Sequence, residues 1–307
     1  MSRWRKVALF VERPDWHARR LKKAFAARGW RTVYVPMRDC GFAIGSPSGL
    51  SLPGFPGRLP ELGFVRFIPD GTFEQVTLRL GVLHGLRDCG VPLCNDARAI
   101  ERCVDKSTTS FLLQRAGVPT PPGWVCESPD MAAGIVAREA GPGRPLVLKP
   151  LFGSQGKGLR LIEQAAELPP PEALEGVYYL QRYVGADNGG WHDFRVLVAG
   201  GRPIAAMLRQ GKKWITNAKQ GAECKAIPLD AALAGLAVAA AAAVGAGYCG
   251  VDIIRGRDGR YLVLEVNSMP AWSALQRVSS IDVTQGIVDG VLAALADGPP
   301  AREVVLA

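Results

Sequence analysis

Two acids near the C-terminus, Asp252 and Glu265, have the types and spacing to do chemistry in this chain. They lie in two alternating apolar stretches, Gly250 to Arg255 and Tyr261 to Asn267, joined across Asp258-Gly259, a strong signal for a two-residue hairpin turn. Pairing about that dipeptide sets Asp252 directly opposite Glu265, with Asn267 two residues further along the same face. Facing carboxylates repel unless something positive lies between them. The simplest resident is Mg²⁺, a hard cation that takes oxygen ligands and shares them with substrate phosphates; Mn²⁺ is the alternative ion.

A second group could hold those phosphates. Leu146 to Leu151, which contains Lys149, reads as a strand, and Leu159 to Ile162 as another. Between them runs a loop containing Gly153, Ser154, Gln155, Gly156, Lys157 and Gly158. A Walker loop needs Gly-Lys-Ser/Thr leading into a helix, whereas here a third glycine and a strand follow. A glycine-rich hairpin lid over phosphates fits better, with backbone N–H groups approaching the oxygens and Lys149 beneath. A flexible surface turn would carry the same glycines.

Further along, Lys106 opens a helix behind Asp105 and could reach a phosphate, although alone it reads as a solvated first-turn lysine. Tyr178 to Val184, including Gln181, Arg182 and Tyr183, is an apolar strand suited either to an adenine slot or to a plain core. Asp193 and Arg195 share one face of the next strand, placed for ribose or substrate contact. Arg209 lies on the returning strand. A two-residue turn at Gly200-Gly201 would give it the opposite parity, so it joins the site only if a bulge or a longer turn intervenes.

The elements that must position these residues begin with a βαβ unit: strand Lys6 to Val11, helix Asp15 to Arg28 and strand Arg31 to Val35. Its first turn lacks GxGxxG, which excludes a dinucleotide-dependent dehydrogenase. Gly45 to Gly63 reads as a loop, followed by strand Phe64 to Ile68, helix Thr72 to Asp88 and strand Val91 to Cys94. Helices near Asp96 to Arg102 and Lys106 to Ala116 lead to the Pro-rich run Val118 to Pro122, a hinge or boundary. Beyond it strand patterns dominate, with helices near Pro129 to Ala140, Asp230 to Val244 and Asp282 to Leu295.

Bulk properties narrow the class. At 307 residues, 48% hydrophobic and 21% charged, the chain is long enough for two or three lobes with real cores. Its net charge of +9 is dispersed rather than run together, which favours small polyanions over nucleic acid. Seven cysteines without a CxxC pair suggest reduced thiols in a cytoplasmic protein. Met1 to Val11 is too short and too charged for a signal peptide, and the uncharged run Ala231 to Val251 is alanine-rich, so no membrane association is expected.

Taken in order, Lys149-Pro150-Leu151-Phe152-Gly153-Ser154-Gln155-Gly156, Gln181-Arg182-Tyr183, Asp193-Phe194-Arg195, Thr216-Asn217, Asp252 and Glu265-Val266-Asn267 resemble the motif set of ATP-grasp ligases, and within them the RimK-like α-L-glutamate ligases. The resemblance runs from about Asp105 to Leu295 and implies an α/β chain with α+β lobes. These would be a Rossmann-like N-terminal pre-ATP-grasp lobe (1–104), a linker helix and central lid lobe (105–184) and a C-terminal catalytic lobe (185–307). It implies that Lys106 and Lys149 hold phosphates, that Gln181, Arg182, Tyr183 and Val184 meet the adenine, and that Asp193 meets the ribose or nucleotide. Ile215, Thr216 and Asn217 would add nucleotide and substrate contacts, and Asp252, Glu265 and Asn267 would carry Mg²⁺. Arg195, Arg209 and Asn217 are the expected catalytic set, the arginines gripping carboxylates. Arg182 departs from the pattern, standing where many relatives carry an acid.

The N-terminal lobe is similar to the branch that acts on one-carbon carrier coenzymes. The implied partners are ATP, L-glutamate and a carboxylate-bearing acceptor, a tail of tetrahydromethanopterin or methanofuran type, in a dimer or tetramer. Short free oligoglutamates or a protein tail are alternative products. A non-catalytic ATP-binding protein is the alternative class.

Overall fold

The computed structural model describes residues 5–153, 156–185 and 190–297. Its first part alternates strands and helices: β1 (Arg5–Phe10), α1 (Trp16–Ala26), β2 (Trp30–Val35), β3 (Gly41–Phe42), β4 (Leu50–Ser51), β5 (Leu62–Val65), α2 (Phe73–Asp88), β6 (Leu93–Cys94) and α3 (Ala97–Val104). Polar caps set the helix starts. Asp15 accepts from the Ala18 N–H at 2.8 Å, and Thr72 and Gln75 form a reciprocal capping box on α2. β2, β1, β5 and β6 form one parallel sheet in that order. Within the stretch expected to be pure loop, Leu50–Ser51 pairs with Gly41–Phe42 as a small antiparallel ribbon.

Next come α4 (Lys106–Arg115), β7 (Gly123–Cys126), α5 (Pro129–Glu139), β8 (Leu146–Lys149), β9 (Arg160–Ile162) and β10 (Tyr178–Arg182). β7, β10, β8 and β9 make an antiparallel sheet, covered on one face by α5 through Ala132, Ile135 and Val136. The last part holds β11 (His192–Ala199), β12 (Arg202–Gln210), β13 (Glu223–Ala226), α6 (Ala231–Val244), β14 (Tyr248–Arg255), β15 (Tyr261–Asn267), α7 (Ser273–Val278) and α8 (Val283–Asp297). Its five-stranded antiparallel sheet runs β13-β12-β11-β14-β15.

That sheet is buried on both faces. Val196, Val198, Val251, Ile253 and Val263 pack under the alanine face of α6 and Leu113 of α4. Leu197, Ala199 and Met207 pack the other way, with α8, α1 and the N-terminal sheet, around Phe64, Tyr248 and Trp272. The uncharged Ala231–Val244 helix is therefore a packing helix. Among the described residues no helix is long and apolar enough to cross a membrane. Buried Asn95 ties the first sheet to the last: its Nδ2 donates to the Tyr248 and Ser268 carbonyls at 2.6 and 2.7 Å, and its Oδ1 accepts from the Tyr248 N–H at 2.9 Å.

Two bulges govern the sheet's side-chain parity. Gly200 and Gly201 form the expected two-residue turn, with φ of 57° and 70°. Register then shifts between Leu197 and Val198, where Ile204 is the extra residue, and Asp193 comes to face Arg209. The second hairpin departs from expectation. Gly256 N–H donates to the Arg260 carbonyl at 2.9 Å, so the turn is three residues, Arg257, Asp258 and Gly259, rather than Asp258-Gly259 alone. A bulge at Leu264, between the Asp252–Glu265 and Ile253–Val263 pairs, then restores the expected facing of Asp252 and Glu265.

Candidate functional site

A cleft opens between the β8–β10 sheet and the five-stranded sheet. Its walls include Lys106, Lys149, Gly153, Gly156, Gln181, Arg182, Tyr183, Val184, Asp193, Arg209, Ile215, Thr216, Asn217, Asp252 and Glu265. Most of the side chains singled out from the sequence thus meet at one place, although they come from separate lengths of chain. Arg195 and Asn267 stand next to it through Asp252 and Glu265, and Ser154 and Gln155 lie outside the described residues.

The floor is a charge lattice written by the strand register. Arg195 faces Asp252 across β11 and β14, and Arg209 faces Asp193 across β12 and β11. Nε and Nη2 of Arg195 each donate to Asp252 at 2.6 Å. Arg209 donates through Nε and Nη2 to Asp193 at 2.5 and 2.6 Å, while its Nη2 also lies 3.0 Å from Asp252. Thr216 Oγ1 donates to the second Asp193 oxygen at 2.7 Å. What stands beside the acids is therefore arginine, a positive group that the repulsion argument alone did not identify. Both Asp193 oxygens are engaged, so Asp193 holds Arg209 and Thr216 in place where it borders the cleft.

The electrostatics follow from burial and these pairs. Burial opposes ionisation of Asp252, but Arg195 and then Arg209 outweigh it and hold that carboxyl well below the usual range. Asp193 goes the other way: its burial outweighs Arg209 and raises it. Burial and the neighbouring Asp252 charge likewise raise Glu265. Glu265 Oε1 accepts from Asn267 Nδ2 at 3.2 Å, which fixes the orientation of that amide.

Lys149 lies across the cleft, its Nζ donating to Gln181 Oε1 at 2.5 Å. Gln181 is held in turn by the Tyr179 hydroxyl, which pairs with Ser110. Desolvation brings Lys149 down to about 8, against the attraction of Glu265. Lys106 is also lowered by burial, and its Nζ clasps the loop carbonyls of Leu151 and Gly153 at 3.3 and 2.8 Å. Gly156 is pressed onto the opposite wall: a Cβ there would stand 2.5 Å from Asn217 Oδ1 and 2.7 Å from Ile215 Cγ2.

Two details were not legible beforehand. The Arg182 side chain turns out of the cleft to Glu139, donating to its carbonyl and carboxylate at 2.7 Å, and sits over Trp124; only the remainder of the residue borders the site. Trp214 joins the wall edge-on to Tyr183, with ring centroids 6.0 Å apart. Trp214 lies in an irregular stretch between β12 and β13, where no periodicity marks which side chains face the cleft.

Among the described residues no three His, Cys, Asp or Glu side chains gather into a metal-sized cluster. The oxygen set is two carboxylates and one amide, from Asp252, Glu265 and Asn267. That set fits Mg²⁺, which binds through one or two carboxylates and completes its shell with water and phosphate oxygens. A cation there would also offset the burial and Asp252 repulsion that disfavour the ionised form of Glu265.

Comparison with known proteins gives a consistent picture. Residues 103–291 match the model of the RimK-like ATP-grasp domain. The tetrahydromethanopterin:α-L-glutamate ligase of Methanococcus maripaludis is 36% identical over 238 residues, covering 76% of this chain and 79% of that protein. A probable α-L-glutamate ligase of Sodalis glossinidius is 32% identical over 291 residues, 91% of this chain and 94% of that one. Among solved structures, a RimK domain ATP-grasp protein from Sphaerobacter thermophilus superposes with a TM-score of 0.68 at 24% identity, covering 94% and 99% of the two chains. The ATP-grasp ligase PsnB, complexed with minimal precursor, Mg and ADP, superposes with a TM-score of 0.71 at 20% identity, covering 94% and 98%.

Proposed function

This chain belongs to the RimK-like ATP-grasp family, and on that premise we propose that it joins L-glutamate to a carboxylate-bearing acceptor, with ATP converted to ADP and phosphate. The observation that supports this most is the meeting, in one cleft, of two half-buried lysines, a pair of facing acids and a buried arginine fork. The acceptor we favour is the glutamate-bearing tail of a one-carbon carrier coenzyme of tetrahydromethanopterin or methanofuran type. The Methanococcus maripaludis relative, named for tetrahydromethanopterin, supports that choice.

In this reading the γ-phosphoryl group passes to the acceptor carboxylate, giving an acyl phosphate and ADP. The glutamate α-amino group then attacks the acyl carbon, and phosphate leaves as the amide forms. Catalysis is mainly positioning and charge neutralisation, so no Ser or Cys nucleophile is required. Lys106 and Lys149 neutralise phosphate charge, and the apolar wall beside Gln181 to Val184 receives the base. Mg²⁺, held by Asp252, Glu265 and Asn267, would supply charge neutralisation at the β- and γ-phosphates. Arg209 and Arg195 each spend Nε and Nη2 on an aspartate, which leaves the Nη1 edge to meet a substrate carboxylate.

The cavity as it stands is about 120 Å³, smaller than the roughly 300–1,000 Å³ of ordinary small-molecule sites. Entry of a nucleotide therefore requires the Lys106–Gly153 and Gly156–Asn217 contacts to part, and their return excludes water from the acyl phosphate. The test is to mix the protein with ATP, Mg²⁺, L-glutamate and a coenzyme acceptor of either type. ADP release and a mass gain of one glutamyl residue are expected. Glu265→Gln should abolish both while leaving the circular dichroism spectrum unchanged; wild-type turnover by that variant would remove Glu265 from the phosphate site.

A further inference from the structure

The N-terminal sheet has a second crevice. Its order is β2-β1-β5-β6, so the chain passes from β1 to one side and from β5 to the other, and their carboxyl ends part. Open parallel sheets bind ligands at such a switch point. A cavity of about 580 Å³ lies there, bordered by Arg13 beyond β1, Arg38 beyond β2, and Arg66 and Phe67 beyond β5.

Three acids also border it, yet two are already engaged. Glu12 accepts from the Arg38 N–H at 3.4 Å and lies 3.5 Å from its Nε. Asp15 caps α1 and pairs with His17 at 3.0 Å. Asp70 is exposed at the rim. Arg66 differs. It is 8% exposed and sits over Trp272, and its Nη1 donates to the Met269 carbonyl at 3.0 Å, but its buried Nε has no partner. Asp15 offsets part of the Arg66 charge, and the crevice is where Arg66, Arg13 and Arg38 converge, an arrangement that favours an anionic ligand with several carboxylates.

The crevice adjoins the cleft on two sides. Met269 follows Asn267 by two residues, so chain reach brings the Arg66 guanidinium within about 12 Å of the Asn267 Cα. Lys219, on the turn after Asn217, is near enough to His17 to add to the burial that lowers its imidazole.

The geometry points to this crevice as the seat of the acceptor's remote carboxylates: it takes an acidic, oligoglutamate-like tail whose reacting end lies in the Asp252–Glu265 cleft. The inference rests on the ligase reading above and deepens it by naming where the acceptor is recognised. The decisive experiment titrates fluorescein-labelled tetra-L-glutamate by anisotropy at low salt, with a fluorescent ATP analogue titrated separately. Arg66→Gln should raise the peptide Kd by about tenfold or more, the loss of a charge-assisted hydrogen bond, with nucleotide Kd unchanged. Because Arg66 is buried, the exposed double variant Arg13→Gln/Arg38→Gln is measured in parallel, and a rise of about fivefold is expected.

Unchanged peptide affinity in both variants overturns the inference. So does wild-type protein that binds the nucleotide but not the peptide, or inorganic phosphate that displaces the peptide at equal concentration, which would mark a generic anion site. Failure to bind the nucleotide would instead fall on the ligase reading, while the peptide titration still decides the crevice.

Discussion

The Asp193–Arg209 pair makes an asymmetric prediction that a simple salt-bridge count would not. Arg209 is 2% exposed and shared between Asp193 and Asp252, whereas Asp252 also has Arg195. Removing the arginine as Arg209→Met therefore leaves Asp252 neutralised but strands Asp193 with only the Thr216 hydroxyl. Breaking a buried pair by removing one partner costs about 3–5 kcal/mol. At about 2–3 °C per kcal/mol this lowers Tm by roughly 6–15 °C.

The reverse change, Asp193→Asn, leaves Arg209 paired with Asp252 at 3.0 Å and should lower Tm by less than half as much. The sign with pH follows. The Asp193 carboxyl already sits above its ordinary 3.8 through burial, and losing Arg209 raises it further. A carboxyl raised in the folded state penalises stability once ionised, so the deficit of Arg209→Met is full above the folded value. It shrinks as pH falls toward the unfolded one. Thermal denaturation followed by circular dichroism at several pH values measures this. Equal deficits for the two variants, or a deficit for Arg209→Met that does not change with acidification, would refute the argument.

Other consequences are simpler to state. Lys149, brought down to about 8 in the free protein, loses its proton as pH rises through that value; nucleotide affinity should then fall about tenfold between pH 7 and 9. The same titration should be flat in Lys149→Met, and a flat wild-type profile would separate this lysine from phosphate binding. Gly156→Ala places a methyl 2.5 Å from Asn217 Oδ1 at a φ of 70°; turnover should drop at least about tenfold while Tm stays within about 2 °C, because the strain falls on the loop and not on a core. Arg182→Ala removes the tie to Glu139 and Trp124, so it should loosen the β7–β10 sheet, seen as faster amide exchange there, with nucleotide Kd changed less than about twofold.

What was legible in the sequence was composition at the level of elements and motifs. Asp and Thr caps before apolar runs mark α1, α2 and α6 to within a residue or two, since capping is local chemistry. The short ribbons were not legible: β3 with β4, and the edge strand β13, exist because a neighbour supplies their ladder, and two to four residues carry too little pattern alone. Partner choice was hidden for a related reason. That Arg195 spends itself on Asp252, and Arg182 on Glu139, depends on which strands and helices lie side by side, which no spacing along one strand reveals.

The parity of the acidic floor shows how a correct conclusion can rest on a wrong count. The turn after β14 is one residue longer than Asp258-Gly259 indicates, which alone would have turned Glu265 away from Asp252; the bulge at Leu264 turns it back. In the neighbouring hairpin the turn is as short as Gly200-Gly201 indicates, and the bulge at Ile204 brings round an Arg209 that strict alternation sends to the other face. Only the second bulge left a trace in the chain. Pro203 lacks the N–H that a regular ladder would use, so it belongs beside a bulge or on an edge. Each bulge sits between a turn and a charged residue of the cleft, where one extra residue re-aims a side chain without moving the strand. Both irregularities of the five-stranded sheet therefore fall on the two hairpins that carry Arg209 and Glu265 to the cleft, and the packing against α6 and α8 accommodates them: Ile253 and Val263 stay in the core under α6, and Ile204 packs beside α8.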